Sequence, residues 1–270
     1  MKYFKLISIS LLFLASCGEL NYSPYEVEVD NLYLNSVNLE KIYSIERESE
    51  PASSENTTFN NYSIAVLSDT HTYYDGLERQ IAYINEHSDK YDFVIITGDM
   101  TNVGMSSEFN ATIERLEELE IPFITTSGNH DLLIDGEAIY ARLFGEDTYI
   151  LNYKNTNYII YNNNNWESSK NVPDLNWLEA QLVKAQAPHR IVLSHVAPND
   201  QDRFSPEQIE LTKDLINNYQ VDLYINGHNH NPAQSDFGEA THLTVGASSK
   251  NVFLELNFKN DELTYEFINL

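Results

Sequence analysis

The stretch Ile64-Ala65-Val66-Leu67-Ser68-Asp69-Thr70-His71 decides the fold. Its first half is an apolar, β-prone run that predicts a buried strand, and its second half is polar. The same change from an apolar run to polar residues occurs four more times along the chain. The polar runs are Ser68–His71, Thr97–Asn102, Ser127–Asp131, Ser194–His195 and Asn226–His230. Because ligands bind at the carboxyl ends of strands in open α/β sheets, we expect these runs to meet in space.

Strand patterns and helical patterns alternate from residue 63 onward. We expect strands over 64–67, 93–96, 123–125, 149–153, 158–161, 190–193 and 222–225. Helices are expected over about 77–86, 107–119, 175–185 and 206–219. The tail from 242 to 267 is typical of successive antiparallel strands. Parallel βαβ units followed by an all-β end predict an α/β sandwich with mixed sheets.

The residue types in the polar runs are those of a metal site. Aspartate and asparagine oxygens together with neutral imidazoles suit divalent Mn, Fe, Zn or Ni. The sequence contains one cysteine, which belongs to a different feature, so no thiolate ligand is expected. The pairs Asp69/His71 and His228/His230 are each two residues apart, which on extended backbone puts both side chains on one face.

The order Asp-x-His, Gly-Asp, Gly-Asn-His-Asp, His, Gly-His-x-His resembles the calcineurin-like metallophosphoesterase superfamily. The resemblance extends from Ser63 to about Phe267. It implies a four-layer αββα sandwich in which two mixed β-sheets surround a dinuclear metal site. It also implies a hydrolase of phosphodiesters or phosphomonoesters in which two metal ions activate a hydroxide.

Seven ligands are implied by this resemblance, position by position. The first metal would be held by Asp69, His71 and His230, the second by Asn129, His195 and His228, and Asp99 would bridge both. His130 would be a catalytic residue that is not a ligand, stabilising charge on the phosphoryl group or protonating the leaving group. Asp131 would accept a hydrogen bond from the ring of His130 and fix its tautomer.

At two points the sequence differs from the motifs of other branches of the superfamily, and these differences indicate which branch it resembles. Serine/threonine phosphatases carry Gly-Asp-x-x-Asp-Arg-Gly, but Asn102 and Val103 replace the Asp-Arg pair here. Purple acid phosphatases need a tyrosine at the position of Asn102. The sequence is most similar to the cyclic-nucleotide phosphodiesterase-like branch, whose members differ in substrate.

The N-terminal residues resemble a bacterial lipoprotein signal. Lys2 and Lys5 precede an apolar run from Leu6 to Ala15, which is shorter than the roughly 20 residues of a membrane-spanning helix. The run ends in a lipobox-like Leu-Ala-Ser-Cys, so we expect residues 1–16 to be cleaved and Cys17 to be lipidated. This predicts a lipid anchor in the bacterial cell envelope, on the periplasmic or the outer side.

Residues 17–62 are expected to contain the anchor, a tether and a possible edge strand, and residues 63–270 the phosphoesterase domain. Alternation of apolar residues at 26–30 and 32–34 suggests the edge strand. The run Asn162–Asn165 is interpreted as a short polar loop. His87, His189 and His242 lie outside the motifs and are interpreted as surface or structural residues.

The formal charge of −25 argues against long nucleic acids as partners, because their phosphates would be repelled. A small phosphate ester is the expected substrate, and the sequence leaves the oligomeric state open. Two alternatives remain: a pyrophosphatase or nuclease on the same site, and a non-catalytic metal-binding surface lipoprotein. Retention of His130 and Asp131 argues against the latter, since metal binding alone does not need them.

Overall fold

Alternating strands and helices build the part of the chain that the computed structural model describes, which is residues 29–49 and 61–270. The strands are β1 (Tyr62–Leu67), β2 (Tyr91–Ile96), β3 (Phe123–Thr125), β4 (Tyr149–Tyr153), β5 (Thr156–Ile160), β6 (His189–Leu193), β7 (Leu223–Asn226), β8 (Ala233–Phe237), β9 (Ala240–Thr244), β10 (Val252–Lys259) and β11 (Glu262–Asn269). The helices are α1 (Leu34–Ser49), α2 (Tyr74–Glu86), α3 (Ser106–Leu116), α4 (Gly136–Leu143), α5 (Leu175–Lys184) and α6 (Pro206–Asn218).

Two mixed sheets lie at the centre of the molecule. The first sheet has the order β11-β10-β1-β2-β3. Strands β1, β2 and β3 are parallel to one another, and β10 pairs antiparallel with both β1 and β11. The second has the order β4-β5-β6-β7-β9-β8, in which β5, β6, β7 and β9 are parallel and both edge strands are antiparallel.

The buried apolar residues form three clusters that define four layers. One cluster lies between the sheets and joins Ile64 and Val66 of the first sheet to Ile191 and Leu193 of the second. The second covers the outer face of the first sheet with α2, α3 and α4, and the third covers the outer face of the second sheet with α5 and α6. The predicted αββα sandwich is confirmed.

The N-terminal segment differs from the expectation. Residues 32–34 do not form an edge strand, because α1 begins at Leu34 and the residues before it are not extended in a sheet. Ile42 of this helix packs into the cluster between the sheets. The side chain of Asn35 bonds both the N–H and the C=O of Thr125, at 2.8 and 2.9 Å, and so covers the free edge of β3. The other suggested strand, 26–30, lies largely outside the described residues.

Two further elements were not predicted, namely α4 and the edge strand β8. The strand β9 is also parallel to β7, whereas only antiparallel pairing was expected in this tail. Among the residues that the structure describes, none of the helices has the length and apolar character needed to span a membrane.

Candidate metal centre

All seven predicted ligands converge at the carboxyl end of the sandwich. They follow three strands of the first sheet, β1, β2 and β3, and two of the second, β6 and β7, so the site joins the two sheets. Their donor atoms form two groups with a shared member, and the atoms of each group lie within 4.8 Å of one another. We call the group Asp69, His71, Asp99 and His230 the first subsite. The group Asp99, His195 and His228, to which Asn129 is added below, is the second subsite.

In the first subsite, two imidazoles and two carboxylates point at a common space. The Nε2 atoms of His71 and His230 are 3.2 Å apart. Nε2 of His230 lies 3.3 Å from Oδ1 of Asp69, and Nε2 of His71 lies 3.6 Å from Oδ2 of Asp99. These spacings suit donors that share one cation.

In the second subsite, an amide oxygen replaces the second carboxylate. Oδ1 of Asn129 lies 3.2 Å from Nε2 of His195 and 3.0 Å from Nδ1 of His228. Nε2 of His195 is 3.1 Å from Oδ2 of Asp99, the same oxygen that faces His71. Asp99 therefore stands between the subsites, where a bridging carboxylate would lie.

The backbone at the ligands is not extended, so the argument from two-residue spacing was wrong in its geometry. Positive φ angles occur at Asp69 (49°), His71 (43°), Asp99 (54°), His228 (66°) and His230 (58°). Such left-handed backbone is strained for residues other than glycine and is concentrated at functional sites. The ligands meet because sharp turns at the strand ends direct them to one point.

Close backbone contacts at the site depend on two glycines. A Cβ atom at Gly128 would lie 2.2 Å from the backbone nitrogen of Asp99, and one at Gly227 would lie 1.9 Å from Oγ of Ser68. Both positions therefore exclude any side chain. These glycines let the ligand-bearing loops of different strands touch.

Backbone carbonyls fix the orientation of two ligand imidazoles. Nδ1 of His71 is 2.9 Å from the carbonyl of Thr101, and Nδ1 of His195 is 2.8 Å from that of Thr97. A carbonyl accepts only, so in each ring Nδ1 carries the proton and, in the neutral ring, Nε2 keeps its lone pair for a metal.

Burial governs the charges of the cluster. It raises the pKa of Asp69 to about 7 and lowers the pKa values of His71 and His228 to about 4, which keeps these imidazoles neutral near pH 7. Burial also opposes ionisation of Asp99 and His195. Their mutual attraction outweighs it, holding the pKa of Asp99 well below its usual range and raising that of His195 to about 9.

A pair of divalent cations fits this arrangement. Oδ1 of Asp99 accepts the backbone N–H of His130 at 2.8 Å, whereas Oδ2 is buried, has no well-aligned hydrogen bond to any described residue and has only ion-pair contacts, with Nε2 of His195 at 3.1 Å and Nε2 of His71 at 3.6 Å. A buried oxygen without a hydrogen bond is costly and needs a compensating partner. The Nε2 atoms of His71 and His230, which are 3.2 Å apart, face the same space. Cations would satisfy these donors, and the mixture of oxygen and imidazole ligands suits first-row metals.

The predicted contact between Asp131 and His130 is wrong. Nδ1 of His130 is bonded instead to the backbone carbonyl of Asn102. The carboxylate of Asp131 is buried and accepts from the N–H and hydroxyl of Thr101, both at 2.9 Å, and from the N–H of Gly128 at 3.0 Å. Asp131 thus joins the loops that follow β2 and β3, and the main chain of Asn102 orients His130.

Some supporting residues were not identified from the sequence. The hydroxyl of Ser68 donates to Oδ2 of Asp69 at 2.7 Å. Nε2 of His242 bonds Oδ1 of Asn226 at 2.6 Å, next to the loop that carries His228. Ser68 and Asn226 directly flank ligand motifs, which is the signal that could have indicated them. His242, like His87 and His189, lies outside both subsites, as expected.

Comparison with known families agrees with this geometry. The sequence model described as calcineurin-like phosphoesterase matches residues 62–232, which is more than half of the chain and includes every candidate ligand. The chain belongs to the calcineurin-like phosphoesterase family. The family predicted from the motifs is therefore confirmed.

Within this family, a curated relative is a probable glycerophosphodiester phosphodiesterase GpdQ from Arcobacter nitrofigilis. It is 41% identical over 51 residues, which are 19% of this chain and 19% of the relative. The match thus spans about a fifth of the length of that relative.

Several solved structures share the fold at low sequence identity. Purple acid phosphatase PPD1 from yellow lupin seeds has a TM-score of 0.67 at 16% identity, covering 82% of this chain and 52% of that one. A dimetal phosphatase from Danio rerio has a TM-score of 0.61 at 14% identity, covering 76% and 95%. GAP50, described as the anchor in the inner membrane complex of Plasmodium, has a TM-score of 0.63 at 17% identity, covering 77% and 84%.

Proposed function

We propose that this chain is a metal-dependent hydrolase of small phosphate esters, either phosphodiesters or phosphomonoesters, of the cyclic-nucleotide phosphodiesterase-like branch. The observation that carries the proposal is Oδ2 of Asp99, a buried oxygen that has no well-aligned hydrogen bond to any described residue and faces imidazoles of both subsites. Asn102 supports the branch, because neither protein phosphatases nor purple acid phosphatases have asparagine there. The short match to a probable glycerophosphodiester phosphodiesterase also supports a small phosphodiester substrate.

The ligand side chains would hold two metal ions next to the substrate. Asp69, His71 and His230 would hold one ion, Asn129, His195 and His228 the other, and Asp99 both. When bound, such an ion pair neutralises phosphoryl charge and lowers the pKa of water toward about 7. The turns at the strand ends hold the donors in place before the reaction, which avoids reorganisation during it.

His130 is the residue we propose to act directly on the substrate. Its ring is edge-on to that of His71, with centroids 4.9 Å apart, so it borders the first subsite. The carbonyl of Asn102 binds Nδ1, and no described residue bonds Nε2. When Nε2 also carries a proton, it is available to donate to a phosphoryl oxygen or to give that proton to the leaving oxygen. Asp131 acts indirectly, through the loop positions of Thr101 and Gly128.

A panel of phosphate esters tests this proposal. Purified protein is assayed under Mn, Zn, Ni and Fe in turn on an aryl phosphodiester, an aryl phosphomonoester, a pyrophosphate and a short oligonucleotide. We expect metal-dependent hydrolysis of an ester that is lost in His130→Ala while metal content persists. Preference for the pyrophosphate or the oligonucleotide would instead identify the protein as a pyrophosphatase or a nuclease. Protein that is loaded with metal but inert on the whole panel would favour a binding function.

We also propose that the protein is anchored to a membrane of the bacterial cell envelope through a lipid on Cys17. This residue and the preceding signal lie outside the described residues, and the proposal depends on the sequence Leu14-Ala15-Ser16-Cys17. The wild-type protein should incorporate radioactive palmitate and sediment with membranes, whereas the Cys17→Ser variant should do neither. Unlabelled wild type would refute the anchor.

A further inference from the structure

Four consecutive asparagines, Asn162–Asn165, follow strand β5 next to the second subsite. The sequence suggested an ordinary polar loop, but Asn162 and Asn163 are only 1% exposed and Asn164 is fully buried. Buried polar side chains require hydrogen-bond partners. The partners of this asparagine run lie in the loops that carry second-subsite ligands.

Asn163 is joined to the residue that follows the ligand His195. Its Nδ2 donates to the carbonyl of Val196 at 2.8 Å, and its Oδ1 accepts the N–H of Val196 at 3.0 Å. One amide thus satisfies both polar groups of a single residue, as a neighbouring strand would do. Because this loop has left the sheet, the asparagine replaces the missing strand.

Asn164 performs the same task for the loop of Asn129. Its Nδ2 donates to the carbonyl of Ser127 at 2.9 Å, two residues before that ligand. The amide also donates to Oδ1 of Asn162 at 2.9 Å. Nδ2 of Asn162 in turn donates to the buried carboxylate of Asp147 at 2.8 Å, which accepts the hydroxyl of Ser127 as well. The two loops are therefore tied to one buried network.

Asn165 reaches the far end of the loop between β6 and α6, which also carries His195. Its Nδ2 donates to the carbonyl of Arg203. The guanidinium of Arg203 pairs with Glu167 at 2.6 Å and lies over the ring of Trp166, 4.3 Å from its centre. The run therefore bonds the loops that carry two individual ligands of the second subsite, His195 and Asn129.

We propose that Asn163 and Asn164 are positioning residues that hold His195 and Asn129 at the second metal, an inference that rests on the proposed function. Neither side chain is a ligand. Each acts through the main chain of a ligand-bearing loop. Partners behind the ligands of a metal site typically change metal affinity by about 10–100-fold when removed. Their loss should weaken the second subsite and spare the first, which the run does not contact.

The test measures Mn²⁺ binding by purified full-length protein. Variants Asn163→Leu and Asn164→Leu keep the side-chain shape but remove the hydrogen bonds. Bound Mn²⁺ per chain is measured at graded free Mn²⁺, together with the electron paramagnetic resonance signal of a coupled Mn pair. Asn129→Ala, which removes a second-subsite ligand, gives the reference for loss at that subsite. Asn164→Ser is a milder variant in case the leucine variants do not fold.

A matched control, Asn157, lies near the start of β5, at the end of the strand opposite to the asparagine run. Asn157 is 8% exposed and its side chain also makes two bonds, to Asn152 at 2.6 Å and from the N–H of Ala187 at 2.8 Å. Asn157→Leu should lower the melting temperature and leave Mn²⁺ binding unchanged.

We expect the free Mn²⁺ needed to half-fill the second subsite to rise about 10–100-fold in both leucine variants. The coupled signal should weaken as in Asn129→Ala, and Asn164→Ser should show a smaller rise. Wild-type Mn²⁺ binding in all three variants, with melting temperatures lowered as in Asn157→Leu, would overturn the inference alone. A wild type that binds no pair of ions would overturn the proposed function and this inference with it.

Discussion

The first subsite has two carboxylates and one half-exposed ligand, whereas the second has a single shared carboxylate and is packed against the asparagine run. The side chain of His230 in the first is 37% exposed, while that of His195 in the second is fully buried. Asp69 adds a negative charge to the first that the neutral Asn129 cannot supply to the second. Ligand charge therefore favours cation binding at the first subsite, and rigid support favours it at the second.

This difference shows two ways to build a cation site within one cluster. Carboxylates attract a cation even when a neighbouring ligand is mobile, because their charge acts at a distance. A neutral amide acts only at contact, so its loop must be held in advance. We infer that each subsite has the support that its ligand charges require.

Removing Asp99, the carboxylate that the two subsites share, should have the largest effect on metal binding and activity. Asp99→Asn replaces the bridging carboxylate with an amide that has one acceptor oxygen and no charge. We expect both ions to be lost and phosphoesterase activity to fall by roughly 10⁴-fold, since a metal pair contributes several kcal/mol to catalysis. Metal analysis and steady-state kinetics check this. Retention of two ions with nearly normal activity would contradict a bridging role.

Stability of the metal-free protein should separate a buried ligand from a half-exposed one. His195→Ala removes a buried ion pair with Asp99 and the bond to Thr97, and should lower the unfolding free energy by about 3–5 kcal/mol. His230→Ala should lower it by less than about 1 kcal/mol. Urea unfolding in the presence of a chelator measures both. Equal losses would show that the two subsites do not differ in rigidity.

His130 belongs to neither subsite, so its replacement should slow the catalytic step and leave metal binding unchanged. His130→Ala should lower kcat by about 10²–10³-fold with the metal content unchanged, as expected for loss of a general acid. Asn102→Ala is the matched control, because it keeps the backbone carbonyl that binds Nδ1. A similar fall in Asn102→Ala would mean that the asparagine side chain is important, against our account.

The extra carboxylate of the first subsite should also make metal-free stability depend on pH. The pKa of Asp69 rises on folding from 3.8 to about 7, so its contribution is complete below about pH 4 and is lost as pH rises through 7. Relative to Asp69→Asn, the wild type should lose about 2–3 kcal/mol between pH 5 and pH 8. Unfolding curves of both proteins with chelator measure this difference. A constant difference would refute the raised pKa.

Much of the fold and the ligand set could be predicted because the signals are local. Apolar runs that end in polar residues indicated the strand ends, and parallel strands bring those ends together. The helix α1 gave no such signal, since its buried face includes Asn35 and Asn38 and lacks an apolar period. The strand β8 was missed because four of its five residues are exposed.

The details of the site depend on backbone geometry that the sequence does not reveal. Ligands with positive φ, such as Asp69 and His228, cannot be distinguished by residue type from extended ones. The partner of Asp131 was inferred from the family resemblance, but the fold places Thr101 and Gly128 beside its carboxylate. Likewise, four asparagines in a row are typical of a surface loop, and only the tertiary structure buries them.

Anomalous scattering from crystals grown with Mn²⁺ tests the central claim most directly. We predict two peaks roughly 3.5–4 Å apart, with Asp99 in contact with both. One should lie among Asp69, His71 and His230, and the other among Asn129, His195 and His228. A single peak, or none within reach of these donors in protein that binds Mn²⁺, would contradict the two-metal site.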